Sequence, residues 1–508
     1  MRLALSALVT GLFAASLPAS AEIEHDALVA GYKAAFTCSA TFNAGQTLGE
    51  IEANELTGIY PDYRETMAAL PPAEIDERNK VVSVRYSLTA APRLAAWRPG
   101  FGCSQLPLGA DLSEAHHLPH FVNASTSNTP DRATTIGANA SVTFPVLIAE
   151  RLEAPIAFAF DGQTYGEDTR TSAVLIVRNG EIVAEQYARG IDAETPQRTW
   201  SVAKSITTTV LGAAAGDSII GPESSALLEA WSQGADPRRK ITLANLLHMA
   251  SGLESGEKGS RTDAVYFGGA AVADQAVTSQ IEAVPGTRYK YANNDTLAAM
   301  RALREAIGDD QVFHNYPYRE VLYKIGATHT VMETDWNGDF IASSQVWSTA
   351  RDLARIGELY LNNGRWGDEQ ILHPEWVRFV TTPAPAQPED NDFGYGAGFW
   401  LLPNDPGVPY DAFAAMGHRG QMLVIIPSEG LVIVRRGYDY SGSGYFDIAG
   451  FTRDVVSAIH AAEAQRLAEE EAARLAEAAN QPQELTAEER RERRERPLNQ
   501  RSRPFETN

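Results

Sequence analysis

Two alternating apolar segments, far apart in the chain, constrain the fold more than any other feature. Each is a pair of strands joined by a tight turn: 172–187 turns at Asn179-Gly180, a dipeptide typical of two-residue hairpins, and 422–434 turns at 427–430. Between them the apolar spacing is mostly helical, as in 350–362. We therefore predict an α/β (α+β) domain, in which both ends of the segment build one antiparallel sheet and helices are inserted between them.

The first residues have the pattern of a secretory signal peptide. Arg2 precedes an apolar run over 3–17, and Ala19-Ser20-Ala21 supplies the small residues of a cleavage site. The run is shorter than the roughly 18 residues that span a bilayer, and no later stretch is long enough. We predict removal of residues 1–21 and a periplasmic or secreted protein with no transmembrane segment. The alternative is an N-terminal anchor that is retained.

Cys38 and Cys103 are the two cysteines of the chain. They lie within 22–111, where short strand-like pieces alternate with turns, and we predict a small accessory domain there. An oxidising compartment favours a disulfide between them, which is worth about 4 kcal/mol on the chain-entropy model. Two free buried thiols are the alternative. The polar stretch 112–150 is predicted to be a connector.

Charge and composition exclude some functions. The formal net charge of -22 argues against a nucleic-acid partner, which would need a basic face. The cluster His116, His117 and His120 has no carboxylate or cysteine at ligand spacing, so it predicts an exposed loop, and we predict no metal and no cofactor. Residues 462–508 predict a charged helix and a disordered tail, or alternatively a docking element. The oligomeric state is left open.

Ser201-Val202-Ala203-Lys204 is the first candidate for chemistry. On a helix that starts at Ser201, residues three apart share a face, so the Lys204 amine reaches the Ser201 hydroxyl. An apolar stripe follows and would bury the helix, as lysine must be desolvated before it acts as a base near neutral pH. Ser255 and Lys258 have the same spacing but no apolar helix behind them, so we prefer Ser201 as nucleophile and Lys204 as base.

A second candidate is Tyr291-Ala292-Asn293, a loop followed by a helical segment. Tyr291 would shuttle a proton to the leaving group, and Asn293 would bond the lysine or the substrate amide. Taken alone, a tyrosine such as Tyr291 is more often a packed aromatic residue than a catalytic one. Tyr360-Leu361-Asn362 has the same spacing, and we interpret it as the exposed end of a helix.

The third candidate is His418-Arg419-Gly420, directly before an apolar strand. Gly420 would let the substrate approach the edge strand closely, and the Gln421 N–H would be the second oxyanion donor. Lys324-Ile325-Gly326 competes for this role but follows Tyr291 too closely and opens no strong hairpin. His418 is alternatively a packing residue at a strand start.

In this order, the three motifs resemble the serine β-lactamase and penicillin-binding-protein superfamily, whose pattern is S-x-x-K, Y-x-N, then K-T-G or H-x-G. The resemblance runs over about 173–459 and includes 242–253, 347–354 and 395–400. The Tyr/Asn loop is similar to class C enzymes. Gly417-His418-Arg419-Gly420-Gln421 is similar to the 6-aminohexanoate-dimer (nylon oligomer) hydrolase and esterase members.

This resemblance implies a β-lactamase/transpeptidase-like domain over 151–461, with an antiparallel sheet flanked by helices and an all-helical subdomain. It also implies that Ser201 is acylated while Lys204 and Tyr291 relay protons. His418 replaces the lysine of K-T-G, so the fixed charge that holds a β-lactam carboxylate is absent, although Arg419 would partly substitute.

We therefore predict an exported serine hydrolase that cleaves a small ester, a linear amide or a peptide. The alternatives are a β-lactamase or cell-wall DD-peptidase and, from another class, a non-catalytic binding protein on the same fold.

Overall fold

The computed structural model describes residues 25–121, 143–256, 263–389, 391–403 and 405–480, together with positions 488, 490, 491 and 494. The predicted signal peptide and most of the predicted charged tail lie outside these residues. No helix in the described part of the chain is long and apolar enough to cross a membrane.

The N-terminal segment consists of helices packed on a four-stranded antiparallel sheet in the order β1-β2-β3-β4. Its elements are α1 (His25–Phe42), α2 (Leu48–Asn54), α3 (Arg64–Ala69), β1 (Glu74–Asp76), β2 (Val81–Val84), β3 (Arg93–Arg98) and β4 (Gly102–Gln105). The predicted disulfide is present: Cys38 on α1 is bonded to Cys103 on β4, with 6.1 Å between their Cα atoms.

Helix α1 is buried on two faces, and this joins the segment to the rest of the protein. Ala30 and Ala34 pack with Cys38 against the small sheet, because their small side chains let helix and sheet approach. On another face, Tyr32 and Phe36 belong to the main hydrophobic core. The segment 25–121 therefore shares one core with the remainder of the chain.

The remainder contains ten helices and twelve strands among the described residues. The helices are α4 (Thr143–Phe160), α5 (Val202–Gly216), α6 (Leu243–Leu247), α7 (Asp263–Tyr266), α8 (Val272–Thr278), α9 (Asn293–Ile307), α10 (Asp310–Pro317), α11 (Ala350–Leu361), α12 (Pro374–Thr381) and α13 (Ile448–Asn480). The strands are β5 (Thr171–Arg178), β6 (Glu181–Tyr187), β7 (Gln197–Arg198), β8 (Val331–Met332), β9 (Val346–Ser348), β10 (Arg365–Trp366), β11 (Glu369–Gln370), β12 (Gly394–Tyr395), β13 (Trp400–Leu401), β14 (Phe413–Gly417), β15 (Gln421–Ile426) and β16 (Leu431–Gly437).

A seven-stranded antiparallel sheet organises this part, in the order β12-β13-β14-β15-β16-β5-β6. Strand β16 pairs directly with β5, so the two predicted hairpins meet at the centre of the sheet. The predicted sheet built from both ends of the domain is confirmed. Its faces follow the two-residue period of a strand: Leu175 faces the core that contains α5 and α11, while Val174 and Ile176 face α4 and α13.

Two predicted domain boundaries fall inside helices. The predicted connector ends at 150, within α4, because Ile148 and Leu152 are buried against the sheet. The predicted tail begins at 462, within α13, and Ala462 is still fully buried. Beyond it the helix continues as a solvated surface helix.

Candidate active site

Ser201 stands at a sharp bend between the small three-stranded sheet β7-β9-β8 and helix α5. The residue before it, Trp200, has a φ of +50°, a left-handed conformation that is costly for a bulky side chain. Ser201 is the N-cap residue of α5, yet its side chain makes no capping hydrogen bond. Its hydroxyl is therefore available for chemistry, at a helix N-terminus whose potential favours a developing negative charge.

The Lys204 amine lies 3.2 Å from the Ser201 Oγ atom. It also donates to Asn293 Oδ1 at 2.6 Å and to the carbonyl oxygen of Ser343 at 2.9 Å. These two partners are pure acceptors, so a neutral amine gives both its protons to them and keeps its lone pair for the serine. The three contacts therefore orient the amine as a base toward Ser201.

Burial is what makes Lys204 a usable base. The residue is 2% exposed, and desolvation lowers its pKa from 10.5 to about 7, against the opposing effect of the Asp295 carboxylate. The surrounding polar groups on α5 are satisfied locally; for example, Thr208 Oγ1 donates to the Lys204 carbonyl at 2.9 Å. About half of the amine is thus neutral at pH 7, as general-base catalysis requires.

Tyr291 precedes α9 and hydrogen-bonds to Ser201, while its ring centroid lies 5.0 Å from the Lys204 amine. Trp400 stacks on this ring, with centroids 5.4 Å apart and planes at 30°. Burial raises the pKa of the Tyr291 phenol well above its ordinary value. The phenol therefore stays protonated at neutral pH, within hydrogen-bond reach of the nucleophile.

Asp295 is a residue of this site that the sequence analysis did not single out. It lies in the first turn of α9, two residues after Asn293, and is 1% exposed. Its carboxylate accepts from the Ser251 hydroxyl at 2.7 Å, and burial raises its pKa to about 7. The Y-x-N-x-D spacing was the only available signal, because the Ser251 partner is 44 residues away.

Ser343 and Tyr266 were also missed as a pair. The Tyr266 hydroxyl hydrogen-bonds to Ser343 Oγ, and the carbonyl of Ser343 accepts from Lys204. Tyr266 is therefore linked to the lysine through Ser343.

His418 lies beside the nucleophile bend, but as a neutral ring. It stacks on Tyr60 at 5.9 Å and meets Trp200 edge-on at 5.0 Å, while its Nε2 lies 2.7 Å from Ser441 Oγ. Burial, reinforced by Arg419 and Arg198, lowers its pKa to about 4. His418 therefore carries no positive charge at neutral pH.

The expectation that Arg419 replaces the missing charge is wrong. Its side chain is 4% exposed and turns inward, donating to the carbonyls of Asn54 at 2.7 Å and Thr57 at 2.8 Å. These contacts hold the N-terminal segment, since a guanidinium has five donors and needs backbone acceptors when buried. Arg419 is not placed to bind a substrate carboxylate.

The predicted role of Gly420 stays a prediction, and the structure shows that a second glycine, Gly417, lies against the nucleophile bend. At Gly420 (φ +77°) a Cβ atom would lie 1.6 Å from Nη1 of Arg435, whose buried ion pair with Asp439 occupies that space. At Gly417, in contrast, a Cβ atom would lie 2.4 Å from the Thr199 carbonyl oxygen and 3.1 Å from the Ser201 nitrogen. Gly417 is therefore the glycine that lets the strand approach the nucleophile.

Gln421 is paired with Gly417 across the β14–β15 hairpin. Its side chain is buried and accepts from Arg436 Nε at 2.7 Å, which ties the hairpin to β16. The backbone that contacts the Ser201 bend belongs to β14. Backbone groups of β14 are therefore nearer candidates for the second oxyanion donor than the Gln421 N–H. Within β14, only Phe413 and Ala414 pair with β13. The edge of β14 that follows them has no partner strand among the described residues.

The competing motifs lie elsewhere. Ser255 is 5% exposed in a loop, and Lys258 is outside the described residues. Tyr360 lies at the end of a helix, as predicted, but it is buried and not exposed: it is 2% exposed, and its hydroxyl lies 3.0 Å from that of Thr209. Lys324 makes ion pairs with Glu320 and Glu369. The described competitors Ser255, Tyr360 and Lys324 do not join the group around Ser201.

A sheet flanked by helices, with a serine, a buried lysine and a protonated tyrosine at one helix N-terminus, defines the class as a serine hydrolase. Comparison with known proteins identifies the family. The family model described as Beta-lactamase matches residues 159–435, more than half of the 508-residue chain. The chain belongs to the β-lactamase family, and the predicted fold class and enzyme class are confirmed.

Relatives within the family are distant. The chain is 24% identical over 294 residues to a 6-aminohexanoate-dimer hydrolase of Paenarthrobacter ureafaciens, covering 53% of this chain and 73% of the relative. The solved structure of a family VIII carboxylesterase superposes with a TM-score of 0.50 at 15% identity, over 64% of this chain and 99% of that one. A penicillin-binding-protein homologue from Caulobacter crescentus has a TM-score of 0.49 at 15% identity, over 64% of this chain and 99% of its own.

Proposed function

We propose that this protein cleaves an ester or a linear amide through an acyl-enzyme on Ser201, with Lys204 as the base and Tyr291 as the proton relay. The observation that carries the proposal is the set of contacts of the Lys204 amine. It lies 3.2 Å from Ser201 Oγ, and its two other partners accept its protons.

In acylation, neutral Lys204 takes the Ser201 hydroxyl proton and Oγ bonds to the substrate carbonyl carbon. The Ser201 N–H and the unpaired edge of β14 at Ala415–Gly417 stabilise the oxyanion. The bond to the leaving group then breaks, and the leaving oxygen or nitrogen takes a proton from Tyr291, which the Lys204 ammonium replaces. The serine proton thus ends on the leaving group.

Deacylation runs through the same groups. Water gives a proton to Lys204, by way of Tyr291, and its oxygen bonds to the acyl carbon. The bond to Ser201 Oγ breaks, and Oγ recovers its proton from the Lys204 ammonium. Charge and protons balance over the cycle, and the acid is released.

Two observations favour linear substrates over β-lactams. The neutral His418 ring and the inward-facing Arg419 offer no counter-charge for a β-lactam carboxylate. The relative from Paenarthrobacter ureafaciens is named for a linear amide, and esters require the same acyl transfer with a better leaving group. A β-lactamase or DD-peptidase remains the second candidate, supported by the shared family.

The decisive experiment is covalent labelling. Wild-type protein is incubated with a fluorophosphonate probe and, separately, with a penicillin, and the intact mass is measured. We expect a fluorophosphonate adduct that Ser201→Ala abolishes and that Ser255→Ala, the matched serine of the competing motif, retains. No adduct on the wild type, or an adduct that survives Ser201→Ala, overturns the assignment and favours a non-catalytic binding protein. Turnover of the penicillin adduct favours the β-lactamase alternative.

We also propose export to the periplasm or the medium. The signal-like sequence at residues 1–21 and the disulfide between Cys38 and Cys103 support it, because disulfides persist in oxidising compartments. Expression of the full chain in a Gram-negative host, followed by mass measurement of the fractionated protein, tests it. A mature protein that begins near Glu22 in the periplasm is expected, and an unprocessed cytoplasmic protein contradicts export.

A further inference from the structure

The N-terminal segment lies outside the residues that match the β-lactamase family, yet one of its side chains reaches the nucleophile bend. Tyr60, between α2 and α3, stacks on His418 with the ring planes 22° apart. It also meets Trp200 edge-on, with centroids 6.4 Å apart. Because Trp200 immediately precedes Ser201, this places the Tyr60 ring against the bend that carries the nucleophile.

A buried cation joins the N-terminal segment to the same bend. The Arg198 guanidinium lies 3.6 Å from the Trp200 ring and 3.9 Å from the Phe36 ring of α1. The two rings are nearly parallel, at 20°, with the guanidinium between them. The Arg198 guanidinium therefore contacts both rings, and this cation–π cluster packs Trp200 against α1.

The chain just before Tyr60 is held by a second buried cation. Arg419 donates to the carbonyls of Asn54 and Thr57, three and more residues before the tyrosine. Arg419 is adjacent to His418, so both partners of the stacked pair are fixed by one side chain. Tyr60 and His418 are nevertheless half-buried and keep part of their surface open.

Resting on the proposed function, we propose that the half-buried rings of Tyr60 and His418, which pack on the buried Trp200, form an aromatic subsite for a flat, unsaturated apolar group of the substrate. Rings in this arrangement recognise another ring by offset or edge-to-face contacts. Tyr60 comes from an N-terminal segment that the family match does not include, so its contribution is a specificity feature of this chain and not of the family core.

The experiment compares two series of esters with matched pairs. In the acyl series, p-nitrophenyl phenylacetate is compared with p-nitrophenyl butyrate; in the alcohol series, 2-naphthyl acetate is compared with phenyl acetate. For each pair, kcat/KM is measured for wild type, Tyr60→Leu and Tyr60→Phe. The control is Tyr86→Leu, which alters a half-buried tyrosine of the same segment that packs on the disulfide side of α1.

We expect Tyr60→Leu to reduce the preference for the larger aromatic ester about three- to tenfold in one series, while Tyr60→Phe and Tyr86→Leu keep it. If Tyr60→Leu lowers kcat/KM equally for all the esters, or for none of them, the subsite is overturned. Leucine fills the space without a ring, and the melting temperature checks that the fold is retained.

A binding measurement separates this inference from the proposed function. The Ser201→Ala protein is titrated with phenylacetate and with butyrate, with and without Tyr60→Leu, by calorimetry. Tighter binding of phenylacetate that depends on Tyr60 supports the subsite even without turnover. Equal binding of the two acids overturns it, whereas absence of Ser201-dependent hydrolysis in the wild type counts against the proposed function alone.

Discussion

The protonation state of Lys204 should control activity between pH 5 and 8. The structure lowers its pKa from 10.5 to about 7 by burial, a cost to the ammonium form of roughly 5 kcal/mol at about 1.4 kcal/mol per pKa unit. At pH 7 about half of the amine is neutral, and at pH 6 about a tenth. We expect kcat/KM for p-nitrophenyl acetate to rise with pH, with a midpoint near 7 and a tenfold loss for each pH unit below 6.

Two substitutions make this expectation specific. Lys204→Arg keeps a positive side chain that cannot lose its proton, so kcat should fall by about a hundredfold to ten-thousandfold. Asp295→Asn removes the carboxylate that favours the ammonium form, so the acidic limb should move to lower pH. A flat wild-type profile from pH 5.5 to 8.5, or a Lys204→Arg protein with more than a tenth of wild-type activity, would refute the reasoning.

Three further predictions concern stability and the shape of the site. Replacing Cys38 and Cys103 together by serine should lower the free energy of unfolding by about 4 kcal/mol, because the bond closes a loop over 65 positions; urea unfolding measures it, and an unchanged midpoint contradicts it. Gly417→Ala should lower kcat about a hundredfold, since its Cβ meets the Ser201 bend, whereas Gly420→Ala should mainly lower the melting temperature; equal effects of the two would count against the placement. Finally, the free energy of unfolding of wild type should rise by about 2–3 kcal/mol relative to that of Lys204→Met between pH 6 and 9, because folded Lys204 loses its proton around pH 7 while unfolded lysine keeps it; a pH-independent difference would argue against a lowered pKa.

Much of the fold could be predicted from local patterns. The strand alternation at 172–187 and 422–434 predicted the strands that meet as β5, β6, β15 and β16. The N-terminal helices α1 to α3 were not predicted, because α1 is alanine-rich and buried on two faces, so it has no single apolar stripe. The boundaries at 150 and 462 fell inside helices for a related reason: burial against the sheet, and not composition, decides where α4 and α13 belong.

The candidate site likewise has one part that follows from local sequence and another that depends on distant residues. The Ser201–Lys204 spacing is set by one turn of helix, so the sequence alone brings the two side chains to one face. The groups that orient the amine are 89 and 139 residues away from Lys204, and no local pattern indicates them. Gly417 lies against the nucleophile bend, whereas Gly420 lies against the buried Arg435 side chain. This difference depends on which groups fill the space around each glycine.

The sequence by itself therefore determined the elements whose periodicity is local: the two hairpins, the helix that carries Ser201 and Lys204, and the two cysteines available for pairing. Only the tertiary structure decided how strongly Lys204 is desolvated, which way Arg419 turns and that Tyr60 stands beside the nucleophile. The physical reason is that desolvation and side-chain direction depend on neighbours brought together from distant parts of the chain, whereas a helical face or a strand face depends on residues a few positions apart.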